Sequence, residues 1–130
     1  LFAKRGKVTG GSTAATRALS LGKILGFTDL HLFGVDSCFD DDRDRHAYEY
    51  VDERAESPAI SCKVNGRRFR TSWQFIRQAK DIQVMLINYG HLFTMTVHGD
   101  SLTRDICLDV QKTVQPFWNT RQRLNRENAA

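Results

Sequence analysis

The sequence predicts an α/β domain whose mostly parallel sheet is flanked by helices, and three observations support this fold class. Small and apolar residues recur at three- and four-residue spacing over residues 14–25, which is typical of a helix packed on a sheet. After Gly26, a short apolar run at residues 30–36 favours a strand buried on both faces. A second helix and a second β-rich run repeat this order at residues 73–97. The fold is therefore expected to be Rossmann-like.

Capping and turn residues set the expected ends of the first elements. Ser12 is a suitable N-cap for the first helix, and Gly26 a suitable stop. Residues 59–64 and 68–71 are expected to form a hairpin around Asn65-Gly66, the strongest short hairpin signal. Ser72 is expected to cap the second helix, which ends at Gly90.

The remainder of the chain predicts one more strand and one more helix. Residues 91–97 are rich in β-formers, and a helical pattern follows through Leu102, Ile106 and Val110 until Pro116 interrupts it. We expect a single domain over residues 1–118 and a polar tail over 119–130. The sheet is expected to be incomplete at its N-terminal side, with the missing strands preceding Leu1.

Composition narrows the function classes. The chain has 130 residues, of which 41% are hydrophobic, and 19 basic against 15 acidic side chains give a net charge of +4. No apolar run of about 20 residues is present, so no membrane span is expected. Its three cysteines are far apart in sequence, which favours reduced thiols in a cytoplasmic protein. The basic residues are scattered, which argues against a nucleic-acid partner.

Chain geometry predicts that distant polar segments meet at one edge of the sheet. The first helix and the following strand run in opposite directions over similar lengths, roughly 20 Å each. Ser12 and Asp36 are therefore expected at the same edge, and a parallel last strand brings His98 there as well. Ligands of open α/β sheets bind outside this carboxyl edge.

The residue types at this edge suit a nucleotide. Gly10 and Gly11 allow close approach of a ligand, and the helix N-terminus with the hydroxyls of Ser12 and Thr13 suits a phosphate. Asp36 is expected to be catalytic, holding Mg²⁺ or a ribose hydroxyl.

The long segment after Asp36 is expected to cover the site. His46 would be a general base or a phosphate ligand there, with Arg45, Tyr48 and His98 as further nucleotide contacts. Two other residues are assigned to structure. His31 is expected to be a satisfied core or interface histidine, and Trp73 to be core.

Several short motifs, in order, resemble the MptE-like domain family. The first are Gly10-Gly11-Ser12 and Leu25-Gly26-Phe27. Residues 30–36 and His46-Ala47-Tyr48 follow. Later segments agree in the same order; they are Val64-Asn65-Gly66, Thr71, Phe75 and residues 97–102. The resemblance spans roughly residues 8–102.

This resemblance implies a nucleotide-dependent transferase. The family includes archaeal 6-hydroxymethylpterin diphosphokinase and motility accessory factors, and bacterial sialyltransferases are more distantly similar. It implies a CMP-sugar or ATP as the nucleotide, with Mg²⁺ for diphosphoryl transfer. The Gly10–Ser12 turn and Asp36 would lie at the nucleotide site, with His46 near the transferred group.

Two other functions compete with transfer. A fragment with an exposed sheet edge would also serve as a non-catalytic nucleotide-binding or assembly module, including a homo-oligomer. A nucleic-acid-binding domain is the third hypothesis, and it predicts that nucleic-acid binding weakens steeply as the salt concentration rises.

Overall fold

The computed structural model describes residues 11–39 and 60–129 of the chain. These residues form a mixed α/β arrangement with three helices and two small sheets. The elements in chain order are α1 (Ala14–Ile24), β1 (Asp29–Leu32), β2 (Ile60–Val64), β3 (Arg67–Thr71), α2 (Trp73–Tyr89), β4 (Thr94–Val97) and α3 (Leu102–Ala129).

Strands β1 and β4 form a parallel pair, as the sequence predicts for its two β-rich runs. Asp29 is in register with Thr94, and Leu32 with Val97. Both strands are shorter than expected. β1 ends at Leu32, four residues before Asp36, because Gly34 adopts a left-handed φ of 66° that turns the chain out of the sheet.

Among the residues that the structure describes, only one face of this pair is covered, which differs from the expectation of a strand buried on both faces. Leu30, Leu32, Met95 and Val97 alternate with polar residues and pack into the core. His31, expected to be a core or interface histidine, lies on the opposite, exposed face. Alternate side chains of β1 therefore lie on a core face and on a polar face. The mostly apolar sequence around this strand does not reveal the polar face.

The other sheet is the hairpin around Asn65-Gly66. β2 and β3 are antiparallel, with Val64 opposite Arg67. Both turn residues have positive φ, 50° at Asn65 and 79° at Gly66, as a two-residue hairpin turn of the primed type requires. The sequence prediction for this hairpin is confirmed within one residue at each strand end.

Capping residues define the helix ends. Ser72 caps α2 by accepting from the Phe75 N–H at 3.4 Å, and Gly90 ends this helix, as predicted. Two backbone hydrogen bonds close the C-terminal end of α1: Gly26 N donates to Lys23 O, and Phe27 N donates to Gly22 O. Gly26 has a φ of 87°, which this type of helix end requires.

Two helix predictions are wrong. Thr13 rather than Ser12 caps α1, in a reciprocal pair with Thr16. α3 also continues through Pro116 to Ala129, although proline lacks the N–H for one helical hydrogen bond. Within the described ranges, no helix is long and apolar enough to cross a membrane.

The core lies between the inner face of the parallel pair and the three helices. Its buried side chains include Leu19, Leu32, Ile82, Leu86, Met95 and Val110. Cys107 belongs to this cluster, and burial raises the pKa of its thiol to about 12. A smaller cluster of Phe69, Ala79 and Leu102 joins the hairpin to α2 and α3. All three cysteines are thiols rather than disulfides.

An ion-pair network attaches the hairpin to the start of α3. The Arg67 guanidinium donates to both carboxylate oxygens of Asp100, at 2.8 and 3.0 Å, and to the largely buried Asp105 at 3.3 Å. The hydrogen bond from Arg67 lowers the pKa of Asp100. The carboxylate therefore stabilises the fold in its ionised form.

Core packing on α2 yields a stability prediction. Ile82→Ala removes a side chain with no exposed surface and should lower the free energy of unfolding by roughly 2–5 kcal/mol. Val84→Ala, on the same helix but 55% exposed, is the matched control and should stay within about 0.5 kcal/mol. Urea unfolding of both variants measures the difference, and equal losses would contradict the assigned core.

The Asp100 pair predicts a pH dependence. Because its pKa is lower in the folded chain, its contribution is complete above the ordinary aspartate value and disappears as pH falls through the lowered value. The destabilisation by Asp100→Asn should therefore be present at pH 7 and vanish in strong acid. Urea unfolding across pH measures it. The same substitution in an Arg67→Gln background is the control, and it should show no such dependence.

Candidate functional site

Three helices begin at the carboxyl edge of the parallel pair. Their first turns are capped by Thr13 in α1, by Ser72 in α2 and by Ser101 in α3, whose hydroxyl accepts from Arg104 N at 3.2 Å. The positive ends of three helix dipoles therefore face the same edge. The segment that leaves β1 passes between these helix starts.

Ser37 connects the three helix starts through hydrogen bonds. Its hydroxyl donates to the Gln78 side-chain oxygen at 2.9 Å and accepts from the Thr103 hydroxyl at 2.9 Å. The Gln78 amide in turn donates to the Thr13 hydroxyl at 3.1 Å. The Ser37 carbonyl accepts from the Thr71 hydroxyl at 2.8 Å. We call this set of side chains the Ser37 network.

The backbone of Ser37 is held in an unfavourable conformation. Its φ is 56°, in the left-handed region that non-glycine residues rarely adopt, and only 2% of the residue is exposed. The neighbouring Asp36 carbonyl accepts from Thr103 N at 3.1 Å. These hydrogen bonds over-determine the position of the segment, which is how strained conformations persist in folded proteins.

The Ser37 network joins the start of α1 to the segment of Asp36. Both therefore lie at the carboxyl edge of the parallel pair, as chain geometry predicts. Thr13 is connected to Ser37 through a single side chain, Gln78. Asp36 faces the loop between β4 and α3, where its Oδ1 lies 3.9 Å from the position that a Cβ on Gly99 would take. Asp36 and Thr13 therefore lie on the same side of the molecule, with Gln78 between their segments.

An internal carboxylate lies against the glycine-rich turn. Asp81 of α2 accepts from Ser12 N at 2.6 Å and from the Ser12 hydroxyl at 2.8 Å through the same oxygen, Oδ2. A Cβ at Gly11 would collide with this carboxylate. In this structure the close approach that Gly11 allows is thus made by Asp81, whereas the sequence predicts a ligand phosphate there.

A cleft of about 960 Å³ opens beside this contact, between the start of α1 and the first turns of α2. Ser12 and Thr13 form one wall. The other wall comes from the beginning of α2; its residues are Trp73, Gln74, Phe75, Ile76, Arg77, Lys80 and Asp81. A cleft of this size accommodates a drug-sized or nucleotide-sized ligand.

Three side chains of this cleft are suited to an anionic aromatic ligand. Trp73 is 65% exposed, so its assignment to the core is wrong. Within the described part of the chain, neither Arg77 nor Lys80 has an ion-pair partner. The spacing of Trp73, Arg77 and Lys80 places them on one face of α2, and this spacing is the sequence signal that could have identified them.

The predicted site residues separate into four groups. Ser12 and Thr13 line the cleft, while Asp36 and His98 are absent from its described lining. Gly11 supports the Asp81 contact. Gly10, Arg45, His46 and Tyr48 lie outside the described residues. The proposed general base is therefore among the residues that the structure does not describe.

His98 belongs to a cluster on the exposed face of the parallel pair. His31 Nδ1 lies 2.9 Å from His98 Nε2, and His31 Nε2 lies 3.4 Å from an Asp29 carboxylate oxygen. The Phe33 ring stacks on His98 with 4.0 Å between ring centroids. His31 and His98 are 67 residues apart, so only the strand register reveals this pair.

Metal binding has limited support from side chains alone. In the described ranges, no three His, Cys, Asp or Glu side chains are grouped to hold a metal ion.

Comparison with protein-family models, curated proteins and solved structures finds no significant match to this chain.

The Ser37 network predicts a graded loss of stability. Ser37→Ala leaves the Gln78 oxygen and the Thr103 hydroxyl without this partner, and should lower the free energy of unfolding by roughly 1–3 kcal/mol. Ser37→Gly loses the same bonds but removes the left-handed strain, worth about 1 kcal/mol, and should be less destabilised. Urea unfolding measures both. A neutral alanine variant, or a glycine variant that is the less stable of the two, would contradict this account.

Proposed function

We propose that this domain binds a nucleotide in the cleft between α1 and α2. The observation that carries the proposal is the exposed Trp73 beside Arg77 and Lys80, two cations that lack described ion-pair partners. An exposed tryptophan on a helix provides a stacking surface for a base. The arginine and lysine provide charge for phosphate groups.

The spacing along α2 supports one ligand contacting all three side chains. Residues 73 and 80 are separated by about 10 Å along the helix axis, two turns of one face. A base on Trp73 would place its sugar over the next turn and its phosphates near Arg77 and Lys80. The hydroxyls of Ser12 and Thr13 on the opposite wall would then face the sugar-phosphate part of the ligand.

Group transfer is the reaction class that we propose for the bound nucleotide. The motif order resembles the MptE-like family, and the resemblance favours glycosyl transfer from a CMP-sugar or diphosphoryl transfer from ATP. The described elements are compatible with part of a Rossmann-like domain, since β1 and β4 are parallel neighbours and helices begin at their carboxyl edge. Asp36 at this edge is the residue we assign to Mg²⁺ or a ribose hydroxyl.

A non-catalytic assembly module is the second candidate function. The observation that favours it is apolar exposure near the end of α1 and the loop before β4. Large hydrophobic side chains there are about half exposed or more; they include Ile24, Leu25, Phe27 and Leu92. Contiguous exposed apolar surface marks interaction sites.

Nucleotide titrations test the main proposal. Calorimetry with CMP, UMP, GDP and ATP, with and without Mg²⁺, should detect binding by the native chain. Arg77→Gln with Lys80→Gln should weaken it at least about tenfold, and Trp73→Ala about five- to tenfold. Lys112→Gln, which removes one positive charge outside the cleft, is the control and should stay within about twofold.

The role assigned to Asp36 predicts a different pattern. If Asp36 holds Mg²⁺, Asp36→Ala should leave Mg²⁺-free affinity unchanged and abolish any Mg²⁺-dependent increase. If Asp36 instead holds a ribose hydroxyl, the same substitution should weaken binding equally with and without Mg²⁺. If no nucleotide binds at millimolar concentration, the nucleotide proposal is wrong. A stable oligomer by light scattering under the same conditions would then support the assembly module.

A further inference from the structure

The outer face of the hairpin formed by β2 and β3 is basic. Cys62 and Phe69 lie opposite each other across the two strands, and both pack into the smaller core cluster. Because side chains alternate along a strand, the neighbouring Lys63, Arg68 and Arg70 lie on the opposite face. Lys63 and Arg68 are exposed, and Arg70 is partly exposed. We call these three side chains the basic hairpin face.

The strand register brings these three cations together. Lys63 is directly opposite Arg68, which places their Cβ atoms about 5 Å apart. Arg70 lies two residues further along the same strand as Arg68, at a distance of about 7 Å. Positions that are scattered in the sequence are therefore neighbours on one surface.

The described part of the chain does not neutralise this surface. None of its three cations has an ion-pair partner there. Arg67, by contrast, lies over the ring of Phe69 on the other face of the hairpin, where it pairs with Asp100 and Asp105. Like charges directly opposite each other on a sheet are destabilising. The hairpin therefore keeps an unfavourable pair of cations, and a bound anion would stabilise this pair.

We propose that the basic hairpin face binds the sugar-phosphate backbone of double-stranded nucleic acid. Its three residues are absent from the described lining of the cleft between α1 and α2, so the inference does not depend on the nucleotide site. It adds to the molecule an interaction surface and the class of partner that this surface fits.

The residue types favour a duplex over other anionic partners. Two of the three cations are arginines, and a planar guanidinium forms paired hydrogen bonds with a phosphate. Single strands are commonly held by bases stacked on exposed aromatic rings, whereas Phe69, the aromatic residue of the hairpin, is buried. Binding at a membrane surface combines basic with exposed apolar side chains, and no large hydrophobic side chain of residues 60–71 is exposed. The phosphates of a duplex lie on its outside and require only positive charge.

Fluorescence anisotropy with a short labelled DNA duplex tests the inference. If the face neutralises about three phosphates, the logarithm of the affinity should fall against the logarithm of the salt concentration with a slope of about −2.7. This slope corresponds to a loss of affinity of roughly fortyfold between about 50 and 200 mM salt. Lys63→Gln, Arg68→Gln and Arg70→Gln should each reduce the size of the slope by about 0.9. Lys112→Gln, which removes an exposed positive charge from α3, is the matched control and should keep the native slope.

Urea unfolding separates a role in binding from a role in folding. Because Lys63 and Arg68 repel each other, replacing either by glutamine should leave the chain at least as stable as the native protein. Weaker duplex binding together with unchanged or higher stability would support the inference. Weaker binding that is accompanied by a loss of stability would indicate a structural role and overturn it.

Other anions provide the remaining outcomes. Poly-glutamate, a labelled single strand, and vesicles of phosphatidylcholine with phosphatidylserine should all bind more weakly than the duplex. Equal or tighter binding of any of them would assign the face to a different partner and overturn the inference. A native slope near zero, or one that the three glutamine variants leave unchanged, would overturn it as well. Nucleotide calorimetry reports on the cleft separately, so failure of one proposal does not imply failure of the other.

Discussion

The buried Ser37 network is the constraint on which the candidate site depends. α1, α2 and α3 are far apart in sequence, and a single strained residue after β1 connects their N-terminal ends through Thr13, Gln78 and Thr103. The hydrophobic core packs the helices against the sheet, but non-directional packing does not determine where each helix starts relative to the others. Directional hydrogen bonds in a buried setting provide that alignment. The walls of the cleft are set by this alignment, because Ser12 and Trp73 lie next to two of the capped turns.

Elements whose ends depend on local chemistry could be predicted from the sequence. Ser72, Gly90 and the Asn65-Gly66 turn act within a few residues of their own position, so their roles follow from side-chain type and allowed φ. Which face of a helix or strand is buried depends instead on the elements that pack against it, and the local sequence does not identify these elements. For this reason Trp73, which was assigned to the core, lies on the surface. His31, which was expected in the core or in an interface, lies on the exposed face of β1. The length of β1 was overestimated because Gly34 and Ser37, inside or beside an apolar run, adopt left-handed backbone conformations.

Chain geometry predicted which segments share an edge of the sheet, but not which residues line the cleft there. Alternating helix and strand directions placed Ser12 and Asp36 at one edge, and this requires only element lengths. Ser12 lines the cleft, whereas Asp36 is absent from its described lining. The contact between Ser12 and Asp81 joins residues 69 positions apart, and nothing in either local sequence indicates it. The sequence predicts a ligand phosphate close to Gly11, whereas the anion that approaches this glycine in the structure is the Asp81 side chain. A glycine-rich turn before a helix therefore indicates that an anion can approach closely. It does not indicate whether that anion is a ligand or a side chain of the protein.

When the Asp29 carboxylate is ionised and both imidazoles are neutral, the hydrogen bond between His31 and His98 has one allowed direction. Ionised Asp29 can only accept, so in a neutral His31 ring the proton must reside on Nε2 to reach it. His31 Nδ1 is then a bare acceptor, and His98 Nε2 must supply the proton between the two strands. The neutral His98 ring is left with its Nδ1 unprotonated. One carboxylate at the start of β1 thereby selects the tautomers of two imidazoles and orients a line of polar bonds across the outer face of the parallel pair.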